Sequence, residues 1–152
     1  MRIVRIAANV SLVPGDEDTM SSAPPTTPRF DAAVPQFTVP DVVRTAEYYR
    51  DVLGFQISGY FGTPPVFAIV CRDRVEVFFN RADQSPARTG RAKVAYDAYF
   101  RVAGVAELAA QLRTNGADIV EGPVTRVYQQ LELVIRDCNG LILTFGEDTN
   151  GR

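Results

Sequence analysis

The sequence predicts an α+β fold made of two tandem βαβββ units. One pattern occurs twice, about 60 residues apart: a short alternating strand leads into an amphipathic helix that ends at a glycine. The first copy spans residues 36–54, the second spans residues 99–116, and three strand-like segments follow each copy. Histidine is absent from all 152 residues. The repeat predicts a pseudo-symmetric scaffold, and the missing imidazole removes the ligand on which many protein metal sites depend.

Composition argues against several classes of protein. A formal net charge of −2 and a pI of about 5.1 disfavour nucleic acid as a partner, because phosphate-binding surfaces carry excess Lys and Arg. No apolar run reaches the roughly 20 residues that a membrane helix needs, so we expect no membrane partner. The two cysteines, Cys71 and Cys138, do not make a disulfide framework. These observations favour a cytoplasmic protein.

Residues 1–30 are poor candidates for a folded core. Residues 15–18 are mostly acidic, and residues 21–28 contain three prolines and four Ser or Thr residues. A segment of this composition buries too little apolar surface to offset the entropy of ordering it. The sequence therefore predicts a flexible tail over residues 1–30 and a folded domain over residues 31–148.

The first half of that domain, residues 33–80, is predicted to begin with a strand at Val34–Val39. Asp41 is a suitable N-cap for the helix that follows, because its carboxylate accepts hydrogen bonds from the free amides of the first turn. Apolar residues recur at spacings of three and four along this helix, and Gly54 fits the left-handed position that ends a helix. Three strands are predicted next, at Phe55–Tyr60, Val66–Cys71 and Val75–Asn80.

The second half, residues 95–147, repeats this order after a linker over residues 81–93. A strand at Ala95–Val102 leads into a helix whose apolar stripe contains Leu108 and Leu112, and Gly116 ends that helix. Residues 137–140 read Asp-Cys-Asn-Gly, a composition typical of a turn. The remaining strands are predicted at Ile119–Thr125, Gln130–Arg136 and Leu141–Phe145.

These segments resemble the vicinal oxygen chelate superfamily, which includes glyoxalase I, extradiol dioxygenases and bleomycin resistance proteins. The resemblance is carried by Phe37-Thr-Val-Pro-Asp-Val, by Tyr48-Tyr-Arg-Asp-Val-Leu-Gly-Phe55, and by Arg136-Asp-Cys-Asn-Gly140 with the strand that follows it. It covers residues 33–147 and is closest to the metal-free branch that resembles bleomycin resistance proteins. One departure is Cys138, which stands where the family often has proline.

The resemblance implies a cupped mixed sheet built from both units, with the helices outside and the ligand in the cup. Members that bind a metal hold it with four side chains, and those positions fall here on Val34, Glu76, Asp97 and Thr144. A tight transition-metal site usually combines three or four strong ligands, commonly including imidazole or thiolate. A valine and a threonine leave this set half empty, so we expect no metal, no cofactor, and neither glyoxalase I nor extradiol dioxygenase activity.

Strand alternation indicates which residues line the cup, because successive side chains of a strand point to opposite faces. In Val75–Asn80, Glu76 and Phe78 oppose the apolar Val77 and Phe79. One face of each predicted sheet is apolar, and the other mixes polar and aromatic residues as a wet binding cup would. The residues that we assign to ligand binding are Gln36, Phe67, Glu76, Phe78, Asp97, Tyr99, Arg101, Tyr128, Glu132 and Thr144.

Three functions remain open at this point. The first is a metal-free protein that binds a small organic molecule and sequesters a drug or metabolite, as in antibiotic resistance; its aromatic residues would stack on the ligand. The alternative is a cofactor-independent lyase or isomerase in which Glu76 and Asp97 act as base and acid. The third is a regulatory module that binds another protein. The resemblance also implies a homodimer in which the partner completes each cup.

Overall fold

The computed structural model describes residues 28–82 and 96–151. The compact unit that carries the fold runs over residues 33–152. The tail predicted over residues 1–30 lies outside the described residues except for its last three. The linker predicted over residues 81–93 lies outside them except for Arg81 and Ala82.

Two tandem βαβββ units make up the fold, which confirms the predicted α+β class. Each unit forms a four-stranded sheet with one helix. The elements are β1 (Gln36–Val39), α1 (Val42–Asp51), β2 (Gln56–Phe61), β3 (Phe67–Arg72), β4 (Val75–Arg81), β5 (Ala98–Arg101), α2 (Val105–Thr114), β6 (Asp118–Thr125), β7 (Gln130–Arg136) and β8 (Ile142–Asp148).

The two sheets have the same topology. Their strand orders are β1-β4-β3-β2 and β5-β8-β7-β6. The first strand of each unit runs parallel to the last strand of that unit, and the other pairs are antiparallel. The equivalent register is therefore repeated in both halves, with Gln36 opposite Phe78 and Tyr99 opposite Thr144.

The first strand starts later than the sequence predicts. β1 begins at Gln36 rather than Val34. Pro35 has no N–H to donate to β4, although its carbonyl oxygen accepts a hydrogen bond from Phe78 N at 3.0 Å. Regular pairing therefore begins one residue after the proline.

The last strand is longer than predicted, because β8 continues to Asp148 rather than ending at Phe145. Gly, Glu and Asp at positions 146–148 have low strand propensity. They pair nonetheless with the first residues of β7, down to Gln130 opposite Asp148. Pairing with the neighbouring strand overrides the local preference here.

Both helices begin at residues whose amides are capped, but by different means. Asp41 caps α1 as predicted, and its Oδ1 accepts hydrogen bonds from Val43 N (3.0 Å) and Arg44 N (2.9 Å). Gly104 precedes α2 and has no side chain for this purpose. Glu147 of β8 replaces it, accepting Gly104 N at Oε1 and the next amide at Oε2, both at 3.0 Å. Neither described helix is long and apolar enough to cross a membrane.

The core lies between each sheet and its helix. In the first half the fully buried Tyr49 of α1 contacts Phe79 of β4, with ring centroids 4.8 Å apart. In the second half Leu112 of α2 and Leu133 and Leu143 of the sheet are fully buried. In β4, Val77 and Phe79 are buried while their neighbours on the opposite face are not, as the alternation predicts.

The halves meet through the helices and the turns that precede the last strands. Tyr49 OH of α1 donates to Asp137 Oδ2 at 3.2 Å, and Asn139 Nδ2 donates to Thr45 Oγ1 at 3.0 Å. Near α2, the Arg72 guanidinium donates to the carbonyl oxygen of Leu53 (2.6 Å) and to Gln111 Oε1 (3.1 Å).

Candidate functional site

Each sheet has one face that its helix does not cover, which we call its open face. On the first sheet this face carries the predicted residues Gln36, Phe67, Glu76 and Phe78, which are partly or fully exposed. Their pairing places them together, since Gln36 lies opposite Phe78 and Glu76 lies opposite Cys71 of β3. Strand alternation thus predicted the exposure of these four side chains.

Three phenylalanine rings form a cluster on the open face of the first sheet. Phe67 lies between Phe61 and Phe78, with ring centroids 5.7 Å and 5.5 Å away. Phe61 is 51% exposed. Exposed aromatic surface is costly in water, and on a sheet face with polar neighbours it is typical of a binding surface.

The open face of the second sheet is organised around a carboxylate. Glu132 of β7 is only 3% exposed. Its Oε2 accepts Arg126 Nε at 2.9 Å and its Oε1 accepts Tyr128 OH at 2.9 Å. The Tyr99 hydroxyl lies near the same carboxylate, and burial and this carboxylate raise the pKa of the phenol. The charge of this buried carboxylate is therefore balanced by Arg126, whose guanidinium also pairs with Glu121 at 2.6 Å.

These contacts shift the pKa values of the groups around Glu132. Burial, followed by the nearby Glu132 carboxylate, raises the pKa of both Tyr99 and Tyr128. The carboxylates of Glu121 and Glu132 raise the pKa of the Arg126 guanidinium. At neutral pH the two phenols are therefore protonated donors and the guanidinium is a cation.

Tyr99 occupies a space that only a glycine leaves open. Its ring lies over Gly146 of β8, where an added methyl group would overlap the ring. The ring is 46% exposed and Arg101, on the same face of β5, is also exposed. The glycine thus allows an aromatic surface to lie flat on the open face of the second sheet.

Two buried polar atoms on this sheet have no hydrogen-bond partner among the described residues. One is Thr144 Oγ1, on a residue that is 1% exposed, and the other is Gln130 Oε1. Thr144 lies opposite Tyr99 and Val134 in the sheet. Buried polar atoms without partners are rare, so these two positions are available to a ligand group or to water.

The structure does not bring the predicted acid–base pair onto one sheet. Glu76 lies on β4 of the first sheet, whereas Asp97 lies just before β5 of the second sheet. Asp97 Oδ2 accepts a hydrogen bond from Ile142 N at 2.7 Å, so this carboxylate helps to hold the start of β8. The geometry gives the lyase or isomerase alternative no specific support.

The residues at the family's metal positions do not fit a transition metal. Val34 precedes β1 and offers no donor atom, so Glu76 and Asp97 are the only carboxylates among the four positions. In the parts of the chain that the structure describes, no three His, Cys, Asp or Glu side chains converge. The sequence contains no histidine, so no imidazole is available as a metal ligand.

Sequence reasoning missed Arg126 and Glu121, which complete the network around Glu132. Arg126 follows β6 and Glu132 lies in β7, six residues further along the chain. The available signal was the hairpin itself, because residues flanking a hairpin turn face one another across it. The sequence singled out Glu132 and Tyr128 but did not identify their partner.

Comparison with known proteins identifies the family. Residues 29–145 match the family model described as the Glyoxalase/Bleomycin resistance protein/Dioxygenase superfamily. No curated protein matches the sequence. Many solved structures share the fold.

TioX from Micromonospora sp. ML1 is 20% identical with a TM-score of 0.63, and the match covers 78% of this chain and 98% of TioX. A bleomycin-binding protein in complex with bleomycin is 19% identical with a TM-score of 0.62, covering 78% and 99%. A glyoxalase/bleomycin resistance protein/dioxygenase from Nocardioides is 18% identical with a TM-score of 0.60, covering 84% and 89%. At these identities the likeness concerns the fold.

Proposed function

Because the chain belongs to the Glyoxalase/Bleomycin resistance protein/Dioxygenase superfamily, we propose that it is a metal-free protein that binds and sequesters a small organic molecule. The observation that carries the proposal is the exposed cluster of Phe61, Phe67 and Phe78 on the open face of the first sheet. Flat exposed rings bind other flat rings through stacking and burial of apolar area. The structural likeness to a protein in complex with bleomycin supports a ligand of this kind.

The charge beside the phenylalanine cluster favours a cationic aromatic ligand. Of the three carboxylates that the sequence assigned to the cup, Asp97 bonds the backbone of β8 and Glu132 bonds Arg126 and Tyr128. Glu76 is exposed beside the phenylalanine cluster. A flat cation would therefore stack on the cluster and meet the Glu76 carboxylate.

The proposal includes a homodimer. The two open faces belong to separate sheets, and each four-stranded sheet ends in edge strands whose backbone groups favour pairing or cover. In a two-fold dimer the open face of the first sheet in one protomer is closed by the second sheet of its partner. Sedimentation at micromolar concentration tests this step, and a monomer would contradict it.

A cytoplasmic location is also part of the proposal. Both cysteines, Cys71 and Cys138, are free thiols. Free thiols persist in a reducing compartment, whereas exported proteins tend to pair their cysteines. Fractionation of the native host would test it, and recovery outside the cytoplasm would contradict it.

A binding titration with aromatic probes tests the function. Isothermal titration would use metal-free bleomycin and proflavine, a flat aromatic cation, in the presence of EDTA. We expect Phe61→Ala and Glu76→Gln each to weaken proflavine binding by about 5-fold, the effect of losing roughly 1 kcal/mol of stacking or cation contact. Glu47→Gln, at an exposed carboxylate on α1, is the matched control and is expected to change nothing.

Two results would overturn this function. One is the absence of binding of either probe at millimolar concentration. The other is equal affinity in wild type, Phe61→Ala and Glu76→Gln, which would place the ligand away from the open face of the first sheet.

A further inference from the structure

The two halves are related by pseudo-symmetry, but the contacts that each half makes with the helix of the other half differ. The turn between β7 and β8 has five residues, 137–141, and it reaches helix α1. There Asp137 bonds to Tyr49, and Asn139 bonds to Thr45. The long turn and the two hydroxyls on α1 thus make a close contact.

The corresponding contact of the first half with α2 lacks both components. Two residues, Asp73 and Arg74, separate β3 from β4. Leu108 and Leu112 occupy the positions of α2 that correspond to Thr45 and Tyr49 of α1, and a leucine offers no hydrogen bond. The short turn therefore does not fill the space beside α2, and a cleft of about 580 Å³ remains there.

The interior of this cleft is apolar. Phe55, Phe100 and Phe145 contribute aromatic surface, and Leu108 of α2 contributes aliphatic surface. Phe100 and Phe145 belong to the helix-side face of the second sheet, with ring centroids 5.4 Å apart. The cleft is therefore distinct from the phenylalanine cluster on the open face of the first sheet.

The charged residues that line the cleft are mainly arginines. Arg72, Arg74 and Arg101 contribute three guanidinium groups, against the carboxylates of Asp73 and Glu107. Arg72 is fixed in orientation by its bonds to the Leu53 carbonyl and to Gln111. Arg74 and Arg101 are exposed, and neither forms an ion pair with another residue that the structure describes.

We propose that this cleft is a second binding site, for a small amphipathic carboxylate with an aromatic or alkyl body and a single negative charge. Its volume falls within the range of small-molecule pockets, and its apolar floor with a few charged groups at the wall is typical of such sites. Arginine binds carboxylates in a planar, bidentate manner. The two acidic residues leave a small excess of positive charge, which favours one anionic group over several.

Naphthalene-2-carboxylate is the probe that tests this site, and naphthalene-2-carboxamide is its neutral counterpart. We expect the carboxylate to bind the full-length protein in a one-to-one complex about 10-fold more tightly than the amide, the order of one charge-assisted hydrogen bond. Arg74→Glu should weaken carboxylate binding by about 10-fold or more and leave amide binding within about 2-fold. Arg50→Glu, at an exposed arginine on α1 away from the cleft, is the matched control.

Nitrogen-15 chemical shifts locate the bound probe independently of affinity. The expected result is movement of the amides of Gly104, Glu107 and Arg74, with the amide of Phe61 on the open face unaffected. Ala103→Trp, which places a bulky ring at the cleft wall, should abolish binding of both probes. The proposal is overturned if the carboxylate does not bind at millimolar concentration, if Arg74→Glu and Arg50→Glu bind it equally, or if the shifts cluster at Phe61. Failure of the sequestration assay described above would leave this result unaffected, since the two use different surfaces and probes.

Discussion

Replacing Tyr49 with phenylalanine removes the hydroxyl that joins helix α1 to the turn of the second half. The ring is fully buried, and its hydroxyl donates to Asp137 Oδ2 at 3.2 Å. Tyr48→Phe is a matched control on the same helix, because Tyr48 is half-buried and no described residue accepts a hydrogen bond from its hydroxyl. Comparing the two variants separates the loss of the buried hydrogen bond from the general effect of replacing tyrosine with phenylalanine.

The expected loss of stability in Tyr49→Phe depends on whether Asp137 is ionised. Burial raises the pKa of this carboxyl, and the amides of Leu141 and Asn139 and the Tyr49 hydroxyl lower it in part. A hydrogen bond to a charged group contributes about 1.5–3 kcal/mol, and one between neutral groups about 0.5–1.5 kcal/mol. Since the bond is long, Tyr49→Phe should lower the free energy of unfolding by about 1.5–2 kcal/mol when Asp137 is ionised, and by about 1 kcal/mol when it is protonated.

The raised pKa of Asp137 also determines how the effect of Tyr49→Phe changes with pH. The pKa of Asp137 is higher in the folded protein than in the unfolded chain, so its contribution is favourable below the unfolded pKa and is lost as pH rises through the folded pKa. Removing the Tyr49 hydroxyl raises the folded pKa further. The destabilisation by Tyr49→Phe should therefore increase as pH rises through that range.

Urea denaturation at about pH 4 and at about pH 7 measures both effects, with the same m-value expected for all variants. Tyr48→Phe should stay within about 0.5 kcal/mol of wild type. If Tyr49→Phe costs no more than Tyr48→Phe, the bond to Asp137 does not hold the halves together. A cost that is the same at both pH values would refute the role of the charge.

Three further predictions concern single positions in the second half. Hydrogen bonds from Gly104 and Val105 hold the pKa of Glu147 below its ordinary value. The stability that Glu147 contributes should therefore be present above its pKa in the unfolded chain and be lost as pH falls through its pKa in the folded protein. Glu147→Gln should flatten the acidic limb of a stability–pH curve, and an unchanged limb would argue against the cap. Gly146→Ala should displace the partly exposed Tyr99 ring from β8 at a cost of no more than about 1 kcal/mol in urea denaturation, and a larger loss would show that the ring is fixed in place. Burial raises the pKa of Cys138 to about 11, so in Cys71→Ser its alkylation by iodoacetamide at about pH 8 should be roughly 100-fold slower than in urea, and equal rates would contradict the shift.

The parts of the fold that depend on neighbouring residues were predictable from the sequence. Asp41 caps α1 as its position suggested, and Gly54 and Gly116 both adopt the left-handed conformation that ends a helix. Alternation in β4 separated the buried Phe79 from the open-face Phe78. These features follow from local stereochemistry, which a single sequence carries in full.

The features that the sequence did not predict depend on residues that meet only after folding. Glu147 caps α2 from 43 residues away, replacing the side chain that Gly104 lacks. Arg126 reaches Glu132 around a hairpin, where the length and direction of a flexible side chain decide the contact. The hydrogen bond from Ile142 N to the Asp97 carboxylate was likewise not predicted. Periodicity predicts which face a residue occupies, but it does not predict which partner it finds there.

The unequal turns described above also bear on how the sequence can change. The contact of Asp137 and Asn139 with α1 contains two hydrogen bonds between the halves, so variation in that segment is constrained by folding. Among the described residues, the side chains of Asp73 and Arg74 form no hydrogen bond with α2, and both are exposed. Residues 137–141 are therefore expected to vary little. The turn at Asp73 and Arg74 can change, and with it the specificity of the neighbouring cleft, at little cost in stability.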